Sequence, residues 1–444
     1  MSLSSAAPVT RTVSSARRFS TLTHVQLAAL WFALFAQWMT VVPVIVPDQI
    51  ARLLGPNAAL KEGVSGSVIA AGAAMALVVA PLAGALSDRC VAPGGRRRPF
   101  IVTGMLGTCV ALALLAPFDS AGTVLLYTLA FLHLQFWWNW AAGAYAGLVP
   151  DVVPPGERTR ASAWLNVMTV LGSVTGNAVL LALYKPGHLG AALGAFIAIA
   201  LVCLYFTVRG KREPTPVAAH EPIAWRAFVR SFYLDPHAHA NFYWVLVTRL
   251  FANMGIWSIF TFMLFYLQDA IGLHHPVDVL NALLGAGAVL AIPASVWGAR
   301  LADRHGVVAI VRVTSWIMAG AAVGYVLLAL HPALVLVVPV ALVFSAAYGA
   351  YQSVDWALAL EVLPTGSSAG KDMGIWHISM VLPQILGPAG TGWMLSWVKG
   401  FAGAGPAYVV AFAIAAAWFV LAAWLVSRVR LAPGAAVAVA AAGD

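Results

Sequence analysis

Twelve runs of about 20 mostly apolar residues follow one another along this chain, each long enough to cross a bilayer as a helix. They lie near 25–47, 66–86, 100–117, 123–149, 163–183, 190–208, 241–267, 279–301, 308–328, 333–358, 373–396 and 406–427. A water-soluble core cannot absorb so much apolar surface, because its outside must face water. Hydrophobic residues make up 61% of the 444 positions and charged residues 9%, where a soluble domain carries about a quarter charged. The expected fold is an all-α membrane protein with twelve transmembrane helices in two pseudo-symmetric six-helix bundles. Arg11, Arg17 and Arg18 precede the first run, which extends too far for a signal-peptide core and reads as a retained span.

The charges orient these spans. With both termini cytoplasmic, 20 of the 25 Lys and Arg residues fall on the inner side. Four (Arg52, Lys61, Lys185 and Lys399) fall outside, and Arg249 lies within a span. This is the positive-inside bias of a multi-pass protein, here expected in the cell membrane. It accounts for the formal charge of +9 without any nucleic-acid partner. The expected organisation is a cytoplasmic tail (1–24), a first bundle (25–208), a cytoplasmic linker (209–240), a second bundle (241–428) and a cytoplasmic tail (429–444). Within the linker, Trp225, Phe228, Val229 and Phe232 fall at helical spacing beside Arg226 and Arg230, the pattern of a short helix on the membrane surface.

The halves resemble each other. Ser87-Asp88-Arg89 follows span two and Ala302-Asp303-Arg304 follows span eight. Asp151 stands three residues before Pro154 at the end of span four, and Glu361 three before Pro364 at the end of span ten. Duplicated halves of this kind hold their site between them near mid-membrane. Cys90, Cys109 and Cys203 are scattered and form neither a metal-ligand spacing nor a disulfide framework. No phosphate-binding loop is present, so neither an enzyme nor an ATP-driven pump is expected, and no cofactor or metal.

The stretch from Gly84 through Ser87-Asp88-Arg89-Cys90 to Gly95-Arg96-Arg97-Arg98-Pro99-Phe100 resembles the loop signature of the major facilitator superfamily. Gly84 would let a neighbouring helix approach, Asp88 would pair with arginines, and Arg89, Arg96, Arg97 and Arg98 would anchor the loop. With Asp151, Asp303, Arg304 and Glu361, these residues form the expected gating set. The same loop, with Ile101 and with Leu382-Pro383-Gln384-Ile385, is similar to that of sucrose transporters and their animal and bacterial relatives; Gln37 and Pro47 also match. Asn139 matches an asparagine there, whereas Gln135 and Ala146 stand where plant sucrose transporters carry an acid and an arginine.

Ionisable residues inside a bilayer are costly and so are functional candidates. Arg249 in span seven and Asp355 in span ten lie at similar depth, and the resemblance implies that these spans both line the cavity. The pair is expected to carry the proton, with His133 and His377 as alternatives; a permanent structural pair is the competing reading. Gln37, Trp137, Asn139, Trp257, Tyr351, Gln352 and Gln384 are candidates for substrate contact, the rings stacking on a sugar face and the amides binding hydroxyls. Of Trp137, Trp138 and Trp140, at least two are expected only to pack. The expected protein is a monomeric secondary transporter that takes up a sugar or similar neutral polar solute with protons. Export of amphipathic molecules is the alternative, and a non-transporting sensor or scaffold a third.

Overall fold

A computed structural model describes residues 19–119, 123–154, 157–184, 188–210, 239–362 and 369–430. Twelve long helices carry them. The first half holds α1 (Thr21–Leu54), α2 (Lys61–Asp88), α3 (Arg98–Leu115), α4 (Val124–Val152), α5 (Arg158–Leu183) and α6 (Leu189–Arg209). The second holds α7 (Ala240–Asp269), α8 (Pro276–His305), α9 (Val307–Leu330), α10 (Leu334–Val362), α11 (Ala369–Ala402) and α12 (Ala404–Leu425). The proposed linker helix with Trp225, Phe228, Val229 and Phe232 lies outside the described residues.

Ten of the twelve are apolar and long enough to cross a membrane. The other two, α4 and α11, reach 29 and 34 residues, but polar groups interrupt their apolar runs: His133, Gln135 and Asn139 in α4, Gln384 and Thr391 in α11. Helix starts follow local chemistry. Ser20 caps α1 by accepting the Thr23 N–H at 3.2 Å, and Thr123 caps α4 by accepting from Leu126 at 3.3 Å. Gly306 (φ 84°) and Gly403 (φ 87°) make the sharp turns into α9 and α12, a backbone region other residues rarely enter.

The first helix exceeds its expected span. The sequence predicts an end near residue 47, yet the helix runs on to Leu54. Pro43 lacks an N–H, and the helix widens there into a π-turn over Val41–Ile45. Beyond it, Asp48 and Arg52 pair with each other one turn apart at 2.7 Å, so these charges extend the helix instead of ending it.

Packing repeats between the halves. In the first bundle α1 packs on α5 and α6, and α4 on α2 and α3; in the second α7 packs on α11 and α12, and α10 on α8 and α9. The bundles meet through α2 against α11 and α5 against α8, equivalent contacts under the same pseudo-symmetry. Close approach uses small residues. A Cβ on Gly143 of α4 would lie 2.2 Å from the Ala80 carbonyl oxygen of α2, and one on Gly66 of α2 would lie 2.1 Å from that of Pro388 in α11. Gly84 does not have the close-approach role expected of it: a Cβ there meets the Gly143 oxygen at an ordinary 3.5 Å. Its carbonyl instead accepts from Arg97 at 3.1 Å.

Candidate functional site

One face of α7 carries Arg249, Asn253 and Trp257 at successive turns, a stripe made by spacing of four residues. Opposite it, α10 presents two i, i+4 pairs, Tyr348 with Gln352 and Tyr351 with Asp355. Arg249 Nε stands 3.2 Å from Asp355 Oδ2, and both side chains are about 95% buried, exposed by 4% and 5%. The Tyr351 hydroxyl donates to Asp355 Oδ1 at 3.1 Å, Arg249 Nη2 lies 3.5 Å from Met380 Sδ on α11, and Asn253 donates to the Arg249 carbonyl at 2.9 Å. Charge is thus compensated within the second bundle, because a lone ion at this depth would be costly.

A second feature spans both bundles. Trp38 of α1 stacks near Trp138 of α4 (centroids 6.1 Å apart, 27° between planes) and meets Trp257 of α7 at 5.5 Å. The buried Trp138 indole N–H has no hydrogen-bond partner, nor has either end of the buried Gln37 amide. Aromatic faces beside an unmet donor can hold a ring that carries hydroxyls.

The structure divides the expected site residues. Arg249, Asp355, Tyr351 and Gln352 cluster, and Gln384 lies on α11 one turn from Met380, donating to its carbonyl at 3.2 Å. Trp257 joins the aromatic group. Asn139 is buried but donates to the Gln135 carbonyl at 2.7 Å within α4. Trp137 points elsewhere: it packs over Gly107 of α3 and donates to His133 Nε2 at 3.2 Å. His133 lines a shallow apolar depression with Leu114, Leu126 and Leu129, away from the Arg249–Asp355 pair. Trp138 is the ring of that trio which faces the first helix, about 100° around α4 from Trp137; Trp140 stacks on Phe100. The side chains of His377 and Glu361 lie outside the described residues. Trp38, Asn253 and Met380 were not anticipated, although the 249–253–257 spacing on α7 was readable.

The loop residues form one knot at the face where the chain enters α1. Arg96 makes a two-pronged contact with Asp151 (2.5 and 3.0 Å), and Arg97 reaches Asp151 at 2.9 Å, Ser87 Oγ at 2.7 Å and the Asp88 carboxylate. Arg98 donates to the Gly210 carbonyl at 3.1 Å, and Arg89 to that of Ala85 at 3.2 Å. These partners all belong to the first bundle. Asp303 and Arg304 are exposed, with no ion pair among the described residues. On the same face Glu157 accepts from the Phe19 N–H at 2.8 Å and contacts His24 at 3.0 Å. Burial works to raise the Glu157 pKa, but the Phe19 N–H, His24 and Arg160 outweigh it and hold it below the usual carboxylate value.

Polar contacts that join the bundles gather at the opposite face. The Gly63 N–H donates to Ser396 Oγ at 3.0 Å, Trp393 to Ser67 at 2.9 Å, and Lys61 and Glu62 pair with Asp269 and Lys399. Among the described residues no three His, Cys, Asp or Glu side chains converge as metal ligands.

Two six-helix bundles, the second holding a compensated buried ion pair, are the architecture of a membrane transporter. The sequence pattern of the Major Facilitator Superfamily matches residues 27–370, and the chain belongs to that family, whose members are transporters of small molecules rather than enzymes. The tetracycline resistance protein, class C, of Escherichia coli is 28% identical over 275 residues, covering 60% of this chain and 63% of that relative. Thus the match spans less than two thirds of the relative's length. Among solved structures, a D-xylose-proton symporter superposes with a TM-score of 0.70 at 15% identity, covering 92% of this chain and 97% of that one. A mutant of the nucleoside transporter NupG gives 0.69 at 14%, covering 92% and 99%. A bacterial homologue of the human lysosomal transporter Spinster, inward-facing and unoccupied, gives 0.66 at 15%, covering 93% and 98%. These likenesses confirm the fold.

Proposed function

We propose that this protein moves a neutral, ring-containing polar solute, a sugar or glycoside, into the cell together with protons. The carrying observation is the division of the interior into two chemistries. Its buried ion pair compensates itself, so Arg249 and Asp355 need no charged substrate. The cross-bundle group of Trp38, Trp138 and Trp257 offers ring faces, with the unmet Trp138 N–H as a hydrogen-bond donor. Asp355 carries the proton, with Arg249 as its counter-charge. The face with the arginine knot is cytoplasmic, by the positive-inside bias. Transport is by alternating access, and the contacts that join the bundles at the other face among the described residues fit a state closed there.

Export of amphipathic molecules is the second reading, favoured by the tetracycline resistance relative and by the same aromatic group. Uptake of labelled disaccharides into proteoliposomes under an imposed pH gradient tests the first reading. Drug sensitivity of a deletion strain tests the second. Gradient-driven disaccharide uptake supports import; sensitisation without any sugar uptake overturns it in favour of export. If neither solute set moves, both readings fall to a non-transporting role.

A further inference from the structure

At the face opposite the arginine knot, four charged side chains from two bundles meet. Lys61 and Glu62 open α2 in the first bundle; Asp269 closes α7 and Lys399 lies near the end of α11 in the second. Lys399 Nζ is 2.8 Å from Glu62 Oε1 and 2.6 Å from Asp269 Oδ2, and Lys61 Nζ is 2.8 Å from Asp269 Oδ1. The Tyr408 hydroxyl of α12 reaches Glu62 Oε1 at 3.4 Å. Lys61 also touches Gln268 at 3.3 Å and lies over the Phe265 ring.

The four members differ in what holds them. Asp269 and Lys399 belong to one bundle and touch two opposite charges each, so their mutual contact persists when the bundles part. Glu62 has a single ion-pair partner among the described residues, Lys399 of the other bundle. Its side chain is 0% exposed, and its second oxygen, Oε2, has no partner among the described residues. A carboxylate so placed is acceptable only while Lys399 faces it, because a buried ion stripped of its counter-charge is strongly destabilising.

We propose that Lys399 is the pivot of an ion lock that holds the two bundles together at this face, acting as the counter-charge for Glu62, which closure buries. Parting the bundles moves Glu62 away from Lys399 and into water, where it needs no partner. Closing returns it to the cation it pairs with directly. The lock therefore sets how often this face opens. It rests on the transport reading proposed above, but it is read out by the protein's conformation and not by any solute.

The test uses a reporter at the seam. Ser396, which accepts the Gly63 N–H across the bundles, is 7% exposed. In full-length protein with Cys90, Cys109 and Cys203 replaced by serine, Ser396→Cys is labelled with a charged, water-borne thiol reagent. Lys399→Gln is expected to raise the labelling rate by about a hundredfold, the shift that corresponds to leaving one buried carboxylate uncompensated. Lys399→Arg, which keeps the charge, should label near the parental rate, and a single symmetric size-exclusion peak shows that each variant is folded. The second variant decides the cause: Glu62→Gln with Lys399→Gln removes the stranded charge and should return labelling toward the parent. Parental labelling in Lys399→Gln overturns the lock, as does a double variant that labels as fast as the single one. Should labelling behave as expected while no solute moves, only the transport reading fails; normal uptake with unaltered labelling sinks the lock alone.

Discussion

Replacing Asp355 with Asn separates a proton carrier from a fixed strut. The side chain keeps its shape and can still accept from the Tyr351 hydroxyl, but Arg249, 4% exposed, loses the carboxylate 3.2 Å away. Removing one partner of a buried pair costs about 3–5 kcal/mol. Conformations of a transporter differ by only about a few kcal/mol, so the change is large enough to shift both stability and state. Expected outcomes are a lower melting temperature, loss of solute accumulation driven by a pH gradient, and retained exchange of labelled for unlabelled solute across proteoliposomes. The control is Arg249→Gln with Asp355→Asn. It removes both charges and should restore much of the stability, since a neutral pair has no stranded ion. A strut predicts that accumulation returns with stability. A carrier predicts that stability returns and accumulation does not. Full gradient-driven accumulation by Asp355→Asn alone, at normal expression, would refute the assignment outright.

Other predictions follow from contacts of different reach. Gly66→Ala places a methyl 2.1 Å from the Pro388 oxygen across the bundles, so it should leave folding intact while raising reporter labelling at Ser396→Cys; Gly143→Ala makes a similar 2.2 Å clash inside one bundle and should instead lower thermal stability, by about 1–3 kcal/mol. Trp138→Ala should weaken apparent solute affinity about tenfold in transport assays, whereas Trp137→Ala should lower the melting temperature with affinity unchanged, because Trp137 packs on α3. Glu157 has a depressed pKa, so its clamp on Phe19 and His24 is fully present above the unfolded carboxylate value of about 4.3 and is lost as pH falls through the lower folded value. Hydrogen exchange at the Phe19 amide should therefore accelerate only below that range, and equal protection at all pH values would contradict the clamp.

Helix number and pairing were legible because lipid imposes a long apolar run on every span, and the duplicated acid–proline and Asp-Arg signatures marked the repeat. The meeting of Arg249 and Asp355 was also readable, since two lone opposite charges at one depth have few other ways to be compensated. Direction around a helix was harder to read. Trp137 and Trp138 are neighbours in sequence and about 100° apart on the helix, so composition alone gave no reason to choose between them. The ion lock was invisible for a different reason: Lys61 and Lys399 count as ordinary outside charges in any topology rule, and only the approach of α2 to α11 brings them to the same carboxylate, Asp269. Asp48 and Arg52 misled in the other direction, ending the first span on paper while extending it in three dimensions.

The two ion centres differ in what a rigid movement of the bundles can do to them. Arg249 and Asp355 both sit in the second bundle, so rocking one bundle against the other leaves their 3.2 Å contact unchanged. On the proposed function, what rocking alters there is which face supplies water and protons. The Glu62–Lys399 contact joins the bundles, and rocking must break it. One helix touches both centres: α7 carries Arg249 toward one end, Trp257 against Trp38 of the first bundle at its middle, and Asp269 in the lock at the other. From Arg249 to Asp269 the helix rises about 30 Å. A change that tilts or slides α7, such as a proton on Asp355 that frees Arg249, is felt at Asp269 and Lys399 without any further relay. Coupling between sites needs an element that both of them bias, and among the described residues α7 is the one helix whose side chains enter the buried pair, the aromatic group and the lock together.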